Sequence, residues 1–247
     1  MKILISNDDG YLAEGINVLA KRLEKKHQVT IFAPTENKSA SSSSLTIDRP
    51  LRPKKISESI FTIDGTPSDS SHFALCGYFK DDFDLVISGI NFGPNLGDDV
   101  IYSGTVAAAI EGRFVGFPSI AISLASWDGL NFESAAKVAE VVVENVEFFK
   151  LSTNTVLNIN VPDIPYKEIK GFMSTRLGSR HKSENIIQDK VDPARYWIGE
   201  NGKEDKNGPG TDFYAIKNNF VSITPLKIDL TSTEELTMVD DWIKGMV

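Results

Sequence analysis

The sequence predicts an α/β fold with a mostly parallel sheet. Over the first two thirds of the chain, short apolar runs alternate with amphipathic segments, which is typical of parallel strands connected by helices. The 247 residues fit one large domain or two small ones. Because neither an internal repeat nor a clear linker divides the chain, we expect a single domain over residues 1–247.

The elements predicted up to residue 77 follow from apolar spacing and turn residues. The run Ile3–Ile5 indicates a buried strand, and Ile16, Leu19 and Leu23 lie on one face of a helix. Pro34 stops the second strand. The predicted elements are strands over 2–6 and 28–33, helices over 15–26 and 66–77, a serine-rich polar loop over 35–46 and a weaker extended pair over 47–63.

The central elements continue the same alternation, but the pattern breaks after Pro162. Residues 166–212 are polar and have no clean period, and so long a loop is unusual inside a compact domain, so we expect a projecting arm or hairpin. The terminal helix is predicted to have a Thr cap, with Glu234 and Glu235 in its first turn. The predicted elements are strands over 84–88, 119–124, 155–161 and 220–224, and helices over 105–115, 132–149 and 233–244.

Charge and composition exclude several classes of protein. The net charge of −8, with no stripe rich in lysine or arginine, argues against a protein that binds long nucleic acids. The single cysteine, Cys76, excludes an intramolecular disulfide and fits a reducing compartment. Since no apolar stretch is long enough to cross a bilayer, we expect a cytoplasmic protein without a membrane segment.

Two adjacent carboxylates follow the first strand directly. Asp8 and Asp9 stand between the strand and Gly10, which allows a sharp turn into the next helix. Open α/β sheets bind ligands at the carboxyl ends of their strands. Neighbouring carboxylates repel each other there unless a proton or a cation neutralises them. A divalent cation with oxygen ligands, such as Mg²⁺ or Mn²⁺, is the simplest explanation of this pair.

A second polar segment, residues 88–112, follows another strand. Glycines recur there at every fourth position, and Ser103-Gly104-Thr105 opens a helix, an arrangement that suits the oxygens of one phosphate group. Asn91 and Asn95 can offer oxygens to a cation or N–H groups to an oxyanion. The loop after the second strand brings Ser39 to the same edge of the sheet.

Missing motifs narrow the chemistry to metal-assisted hydrolysis by a bound water. There is no Gly-x-x-x-x-Gly-Lys-Ser/Thr motif, and Cys76 is not followed by the arginine of a cysteine phosphatase loop. Asp8 is followed two residues later by Gly10, where aspartyl-phosphate enzymes of the haloacid dehalogenase type have a second aspartate. The histidines lack an Arg-His-Gly context and are predicted to be structural or solvated: His27, His72 and His181.

Taken together, these segments resemble the SurE family of metal-dependent nucleoside monophosphate phosphatases. The similarity spans nearly the whole chain, and the segment 88–112 is its most specific part. The matching stretches are ILISNDDG and AEGI within 3–16, the AP and serine-rich loop at 33–46, GTPSD at 65–69, SGINFGPNLGDDVIYSGTVAAAIEG at 88–112, LNINVP at 157–162 and VSITPL at 221–226.

The resemblance implies a Rossmann-like three-layer fold and assigns the site residues. It implies one divalent cation per subunit, Mg²⁺ or Mn²⁺, bound by Asp8, Asp9, Ser39 and Asn91, with Asp8 or Asp9 also orienting the attacking water. It further implies that the substrate phosphate is held by Asn95, Ser103, Gly104 and Thr105. Ala40 departs from the glycine that the family usually has after the loop serine, so Ser41 and Ser42 remain alternative ligands.

The resemblance also implies a substrate class and an oligomer. We expect hydrolysis of nucleoside 5′- and 3′-monophosphates, and also of short-chain polyphosphate, by a metal-activated water. Residues 166–217 would form an arm that pairs subunits into a homodimer or homotetramer, with Tyr196, Trp197 and Ile198 as its apolar anchors unless they cover the subunit's own core. Two alternatives remain: a non-catalytic nucleotide or polyphosphate sensor, and a metal-dependent nucleotidyl or sugar transferase.

Overall fold

The computed structural model describes residues 1–79, 83–113, 115, 117–148, 150–180, 185–199, 202–205 and 207–246. Within these residues, eleven strands and six α-helices occur. The strands are β1 (Lys2–Ser6), β2 (Gln28–Pro34), β3 (Pro53–Lys55), β4 (Ile60–Ile63), β5 (Leu85–Phe92), β6 (Ser119–Leu124), β7 (Val156–Val161), β8 (Phe172–Ser174), β9 (Ile187–Gln188), β10 (Tyr196–Trp197) and β11 (Val221–Leu226). The helices are α1 (Glu14–Leu23), α2 (Pro67–Phe73), α3 (Gly104–Glu111), α4 (Phe132–Glu144), α5 (Asp212–Lys217) and α6 (Leu236–Lys244).

Nine of the strands form one sheet in the order β3-β4-β2-β1-β5-β6-β7-β11-β8. The six strands from β4 to β7 in this order run parallel to one another, and the antiparallel pairs are β3 with β4 and β7 with β11. The predicted mostly parallel sheet is therefore confirmed. Because β1, β5 and β6 are consecutive and parallel, their carboxyl ends lie side by side at one edge of the sheet.

Helices cover both faces of the sheet and make three layers. On one face, α1 and α4 pack over Ile5, Ile87 and Ile122 in the largest apolar core. On the other face, α2 and α3 pack together over apolar residues such as Leu4 and Val86. Both faces of β1, β5 and β6 are buried, which explains why these strands read as continuous apolar runs in the sequence.

Several predicted boundaries differ from the structure. Strand β5 extends beyond Ser88 to Phe92, because its last residues pair with β6 after a shift in register, so Asn91 lies on a strand. The second predicted helix ends at Phe73, since Cys76 and Gly77 adopt non-helical backbone angles. Helix α4 ends at Glu144, and Phe149, predicted as its last residue, lies outside the described part of the chain.

The predicted start of the terminal helix was wrong. Helix α6 begins at Leu236, so Glu234 and Glu235 precede it instead of lying in its first turn. Glu235 occupies the capping position and its side chain makes no capping hydrogen bond, and no threonine caps this helix. The side chains of α6 are exposed along its whole length, so none of them is buried against another part of the described chain.

The segment predicted as an arm, 166–217, divides into three parts. Strand β8 joins the main sheet beside β11, and α5 packs against the sheet with Phe213 and Ala215 buried. Between them, β9 and β10 form a separate antiparallel hairpin that is not part of the main sheet. In the hairpin, Trp197 is 64% exposed and Ile198 is 89% exposed, so these side chains do not cover the subunit's own core. Their role in oligomerisation stays a prediction.

For a helix to cross a bilayer, it must be long and apolar. Among the described residues, no helix combines the length and apolar composition that crossing a bilayer requires.

Candidate active site

A closed turn presents the two aspartates at the carboxyl end of β1. The Asn7 side chain accepts a hydrogen bond from the Gly10 N–H (3.1 Å) and donates one to the Gly10 carbonyl (3.0 Å). Gly10 has a φ of +96°, and a Cβ there would lie 3.2 Å from the backbone of Glu36. The turn therefore depends on a buried asparagine and on a glycine that no side chain could replace without strain.

Asp8 is the more buried of the pair and contacts the helix opposite. Its Oδ1 accepts a hydrogen bond from the Thr105 hydroxyl in the first turn of α3. Burial raises the pKa of Asp8 to about 6; the Thr105 bond lowers the pKa, and the charge of Asp9 raises it again. A buried carboxylate with a raised pKa and a like-charged neighbour is a group that a bound cation would stabilise in its ionised form.

Asp9 faces β5 and the serine-rich loop. Its Oδ2 accepts a hydrogen bond from the Phe92 N–H (3.0 Å), and Asn37 Nδ2 lies 3.4 Å from its Oδ1. Burial raises the pKa of Asp9, and the Phe92 hydrogen bond opposes this effect. Asp9 thus connects the β1 turn to the end of β5 and to the loop that carries Ser39.

The carboxamide of Asn91 is fixed with its oxygen available. Asn91 is buried, and its Nδ2 donates to the Gly93 carbonyl (2.8 Å). Within the described residues, no group donates a hydrogen bond to Asn91 Oδ1. The strand register shifts between Ser88 and Asn91, as it does at a β-bulge, and such shifts re-aim side chains. A free carboxamide oxygen beside two aspartates is the chemistry of a cation ligand.

The serine-rich loop folds against this turn. The Lys38 N–H donates to the Asp8 carbonyl (2.7 Å), and the Ser39 N–H donates to Asn37 Oδ1 (2.8 Å). Ala40 has a φ of +59°, in the left-handed region that glycine adopts most easily, so a glycine would fit at this position.

The three serines of this loop have different surroundings. Ser39 is exposed, whereas the Ser42 hydroxyl donates to the Ile101 carbonyl (2.8 Å). The Ser41 Oγ is buried and has no hydrogen-bond partner among the described residues. It lies against Gly104, where a Cβ would come within 2.9 Å of it. The structure therefore places Ser41 beside the first turn of α3 and engages the Ser42 hydroxyl elsewhere, and the role of Ser39 as a ligand stays a prediction.

Helix α3 points its first turn at the aspartates. Ser103 caps the helix, its Oγ accepting a hydrogen bond from the Val106 N–H (3.1 Å). The N–H groups of Gly104 and Thr105 have no acceptor within the helix, as is general for first-turn amides. A Cβ on Gly104 would lie 2.8 Å from the Asp8 Cβ, so glycine is required for this approach. The Thr105 hydroxyl is engaged by Asp8, which leaves its backbone N–H as the group free for an anion.

Asn95 is held by a ladder of buried amides. Its N–H donates to Asn160 Oδ1 (2.9 Å), and its carbonyl accepts from Asn158 Nδ2 and Asn160 Nδ2 (2.9 Å each). Its own Nδ2 donates to Ser123 Oγ (2.8 Å), and a second N–H on that nitrogen remains for a ligand. The ladder fixes the loop between β5 and α3.

Comparisons with known proteins show the family of this chain and the likeness of its fold. A family model described as Survival protein SurE matches residues 3–184. The chain is 60% identical to the "5'-nucleotidase SurE" of Ruthia magnifica subsp. Calyptogena magnifica over 243 residues, which are 98% of each chain. It is 50% identical to the "5'-nucleotidase SurE" of Halorhodospira halophila, with 100% of this chain and 99% of that one covered. The chain belongs to the SurE family. Its fold matches the crystal structure of the SurE protein from Aquifex aeolicus with a TM-score of 0.87 and 39% identity, over 98% of this chain and 99% of that one.

The donor set of this SurE chain fits a hard divalent cation. Two carboxylates, the free oxygen of Asn91 and serine hydroxyls are all oxygen donors, as Mg²⁺ and Mn²⁺ prefer. Within the described residues, no group of three or more His, Cys, Asp and Glu side chains is arranged to hold a metal. Amide and hydroxyl oxygens would therefore have to complete the coordination of the two aspartates.

Three features of the SurE site were not predicted from the sequence. The Thr105–Asp8 bond links the carboxylates to α3. The amide ladder uses Asn158 and Asn160. In the sequence, these two asparagines stand out because the rest of their strand is apolar. Buried Asp212 accepts hydrogen bonds from the N–H groups of Gly97 and Gly178 (2.8 Å each), and it carried no signal of its own.

The histidines play no part in the site among the described residues. His72 pairs with Glu111 (2.9 Å) on the α2–α3 surface, and burial lowers the pKa of His27 at the end of the α1 segment. His181 lies outside the described residues.

Proposed function

We propose that this SurE-family chain is a divalent-metal-dependent phosphomonoesterase that releases inorganic phosphate from nucleoside 5′- and 3′-monophosphates. The hydrogen bond from Thr105 to Asp8 carries the proposal, because it joins a carboxylate pair to the N-terminus of a helix in one site. The carboxylate pair is suited to a cation, and the N-terminus of the helix is suited to a phosphate. The names of the relatives, 5'-nucleotidase, support the reaction class and the substrate.

Asp8, Asp9, Ser39 and Asn91 would hold the cation. When bound, Mg²⁺ or Mn²⁺ would polarise a phosphoryl oxygen and lower the pKa of a water molecule. Thr105 donates a hydrogen bond to Asp8, and the Phe92 N–H donates one to Asp9, so the protein itself orients both carboxylates.

The phosphate would lie against α3. We expect the phosphoryl oxygens to be stabilised there by the N–H groups of Gly104 and Thr105, the Ser103 and Ser41 hydroxyls and the remaining N–H of Asn95. In the reaction, the oxygen of a water attacks phosphorus, the ester P–O bond breaks, and the leaving oxygen takes a proton from solvent water so that the nucleoside leaves as an alcohol. Asp8 or Asp9 accepts the proton of the attacking water.

The test is phosphate release from purified protein in EDTA, in Mg²⁺ and in Mn²⁺. The panel contains 5′-AMP, 3′-AMP, the other nucleoside monophosphates and short-chain polyphosphate, whose terminal phosphoryl group presents the same oxygens. We expect metal-dependent release from the monophosphates, loss of release in Asp9→Asn and full activity in Asp229→Asn, an exposed acid outside the site. Binding without release in every metal would identify a sensor, and release of pyrophosphate or of a nucleotide would identify a transferase.

We also propose that the chain functions as a homodimer or homotetramer in the cytoplasm. The apolar side chains of the β9–β10 hairpin and of α6 are exposed in the single subunit, and Trp242 of α6 is 66% exposed. Exposed apolar faces of this kind are typical of subunit contacts. Light scattering coupled to gel filtration gives the mass directly, and a monomer at micromolar concentration would contradict this proposal.

A further inference from the structure

We propose that Phe92 and Trp127 form a stacking surface for the nucleobase of the substrate, an inference that rests on the proposed function. Phe92 ends β5, and Trp127 lies in the loop between β6 and α4. The two ring centroids are 6.0 Å apart, and the ring planes meet at 78°. Phe92 is 41% exposed and Trp127 is 69% exposed, so both rings offer surface to a ligand.

The two rings are supported by glycines of each other's loops. A Cβ on Gly93 would lie 2.3 Å from the Trp127 ring, and a Cβ on Gly129 would lie 2.5 Å from the Phe92 ring. Both glycines have positive φ, +110° and +66°. Each ring therefore packs on a backbone that only glycine provides, and the pair is held in place although it is exposed.

The position of the pair relative to the phosphate site makes a nucleobase the fitting occupant. Phe92 follows Asn91 directly, and its own N–H donates to Asp9 Oδ2 (3.0 Å). The rings thus begin next to the carboxylates, at the carboxyl ends of the neighbouring strands β5 and β6. A nucleotide whose phosphate lies between α3 and the cation held by Asp9 has its base on the other side of the ribose. An aromatic surface can stack on the base there.

Stacking also predicts how the site ranks its substrates. Every base has a π-face, so an aromatic surface accepts all of them, and purines cover more of it than pyrimidines do. The two rings are not among the side chains assigned to the cation or the phosphate. Phe92 and Trp127 are therefore positioning residues that act on substrate binding, and their loss should raise KM for nucleotides more than it lowers kcat.

The kinetic test compares a substrate that has a base with one that lacks it. For Trp127→Ala and Phe92→Ala, we expect kcat/KM for AMP to fall about 5-fold or more, and for CMP to fall less. Activity of Trp127→Ala on ribose 5-phosphate, which has no base, should stay as in the wild type. Trp127→Phe should retain most of the AMP activity, and Leu230→Ala, which removes an exposed apolar side chain between β11 and α6, should retain all of it.

A binding measurement separates this inference from the proposed function. Adenosine, which has no phosphate, should quench the fluorescence of Trp127 in the wild type and in Trp242→Ala, and the quenching should be lost in Trp127→Phe. If the wild type quenches but releases no phosphate from any substrate, the proposed function fails and the stacking surface stands. If AMP and ribose 5-phosphate lose activity equally in Trp127→Ala, or if adenosine does not quench, the stacking surface is refuted.

Discussion

Replacing Asp8 by asparagine should stabilise the metal-free protein while it abolishes phosphate release. Asp8 is 4% exposed, and burial raises the pKa of its carboxyl group from 3.8 to about 6. Well below pH 3.8 the carboxyl group is protonated in both the folded and the unfolded chain and contributes no difference. As the pH rises from about 4 to above 6, the unfolded chain releases this proton first, so the folded state loses stability.

The size of the effect follows from the two pKa values. At about 1.36 kcal/mol for each pH unit between them, full ionisation of Asp8 costs the folded state about 3 kcal/mol above pH 6. Asparagine has nearly the same shape, its oxygen can still accept the Thr105 hydrogen bond, and it carries no charge. For a chain of this length, about 3 kcal/mol corresponds to an increase in Tm of about 6–12 °C.

The assay is urea unfolding of wild type and Asp8→Asn in EDTA between pH 4 and pH 8. The stability difference should be small, about 0.5 kcal/mol, at pH 4 and should approach its maximum above pH 6. Added Mn²⁺ should stabilise the wild type at pH 7.5 and leave the variant unchanged, since cation binding favours the ionised carboxylate. A variant that is no more stable than wild type at pH 7.5 in EDTA, or a difference that does not change with pH, would refute the electrostatic reasoning.

Asp163→Asn provides a control of opposite sign. Burial alone would raise the pKa of Asp163, but hydrogen bonds from the Asn131 side chain and from the Leu130 and Asn131 N–H groups together lower it. The ionised group therefore stabilises the fold above its unfolded pKa, and this stability is lost as the pH falls through the lowered folded pKa. Asp163→Asn should be destabilised at pH 7.5, and the difference should shrink in acid.

Four further substitutions test the site geometry. Gly104→Ala places a Cβ 2.9 Å from Ser41 Oγ. We therefore expect the free energy of unfolding in urea to fall by about 1–3 kcal/mol and phosphate release to fall strongly. A wild-type kcat would contradict the close approach. Asn160→Ala leaves the N–H of Asn95 without its acceptor, which should cost about 1–3 kcal/mol of stability and raise KM for AMP, and an unchanged urea midpoint would contradict the ladder. Ser39→Ala should weaken Mn²⁺ binding measured by calorimetry, whereas Ser41→Ala should leave Mn²⁺ binding intact and raise KM; the reverse pattern would exchange the two roles.

The sequence by itself predicted the parallel sheet and the candidate residues of the site, but not every helix and strand. The apolar run before Asp8 and Asp9 predicted β1, because a strand buried on both faces has no room for polar side chains. The order of strands and helices predicted the parallel sheet, and parallel strands bring their carboxyl ends to one edge. The resemblance in 88–112 predicted the remaining site residues, since that segment carries the turn and the helix cap in one continuous stretch.

Only the tertiary structure decided which polar groups are partners. Thr105 was expected to hold phosphate with its hydroxyl, but 97 positions of sequence separate it from Asp8, and only their packing shows that the two side chains bond to each other. The same holds for Asn95 with Asn160 and for the glycine-supported rings of Phe92 and Trp127. Hydrogen bonds and ring contacts depend on distances of a few ångströms between strands that are remote in the chain, and local patterns fix where a strand begins and ends but not these distances.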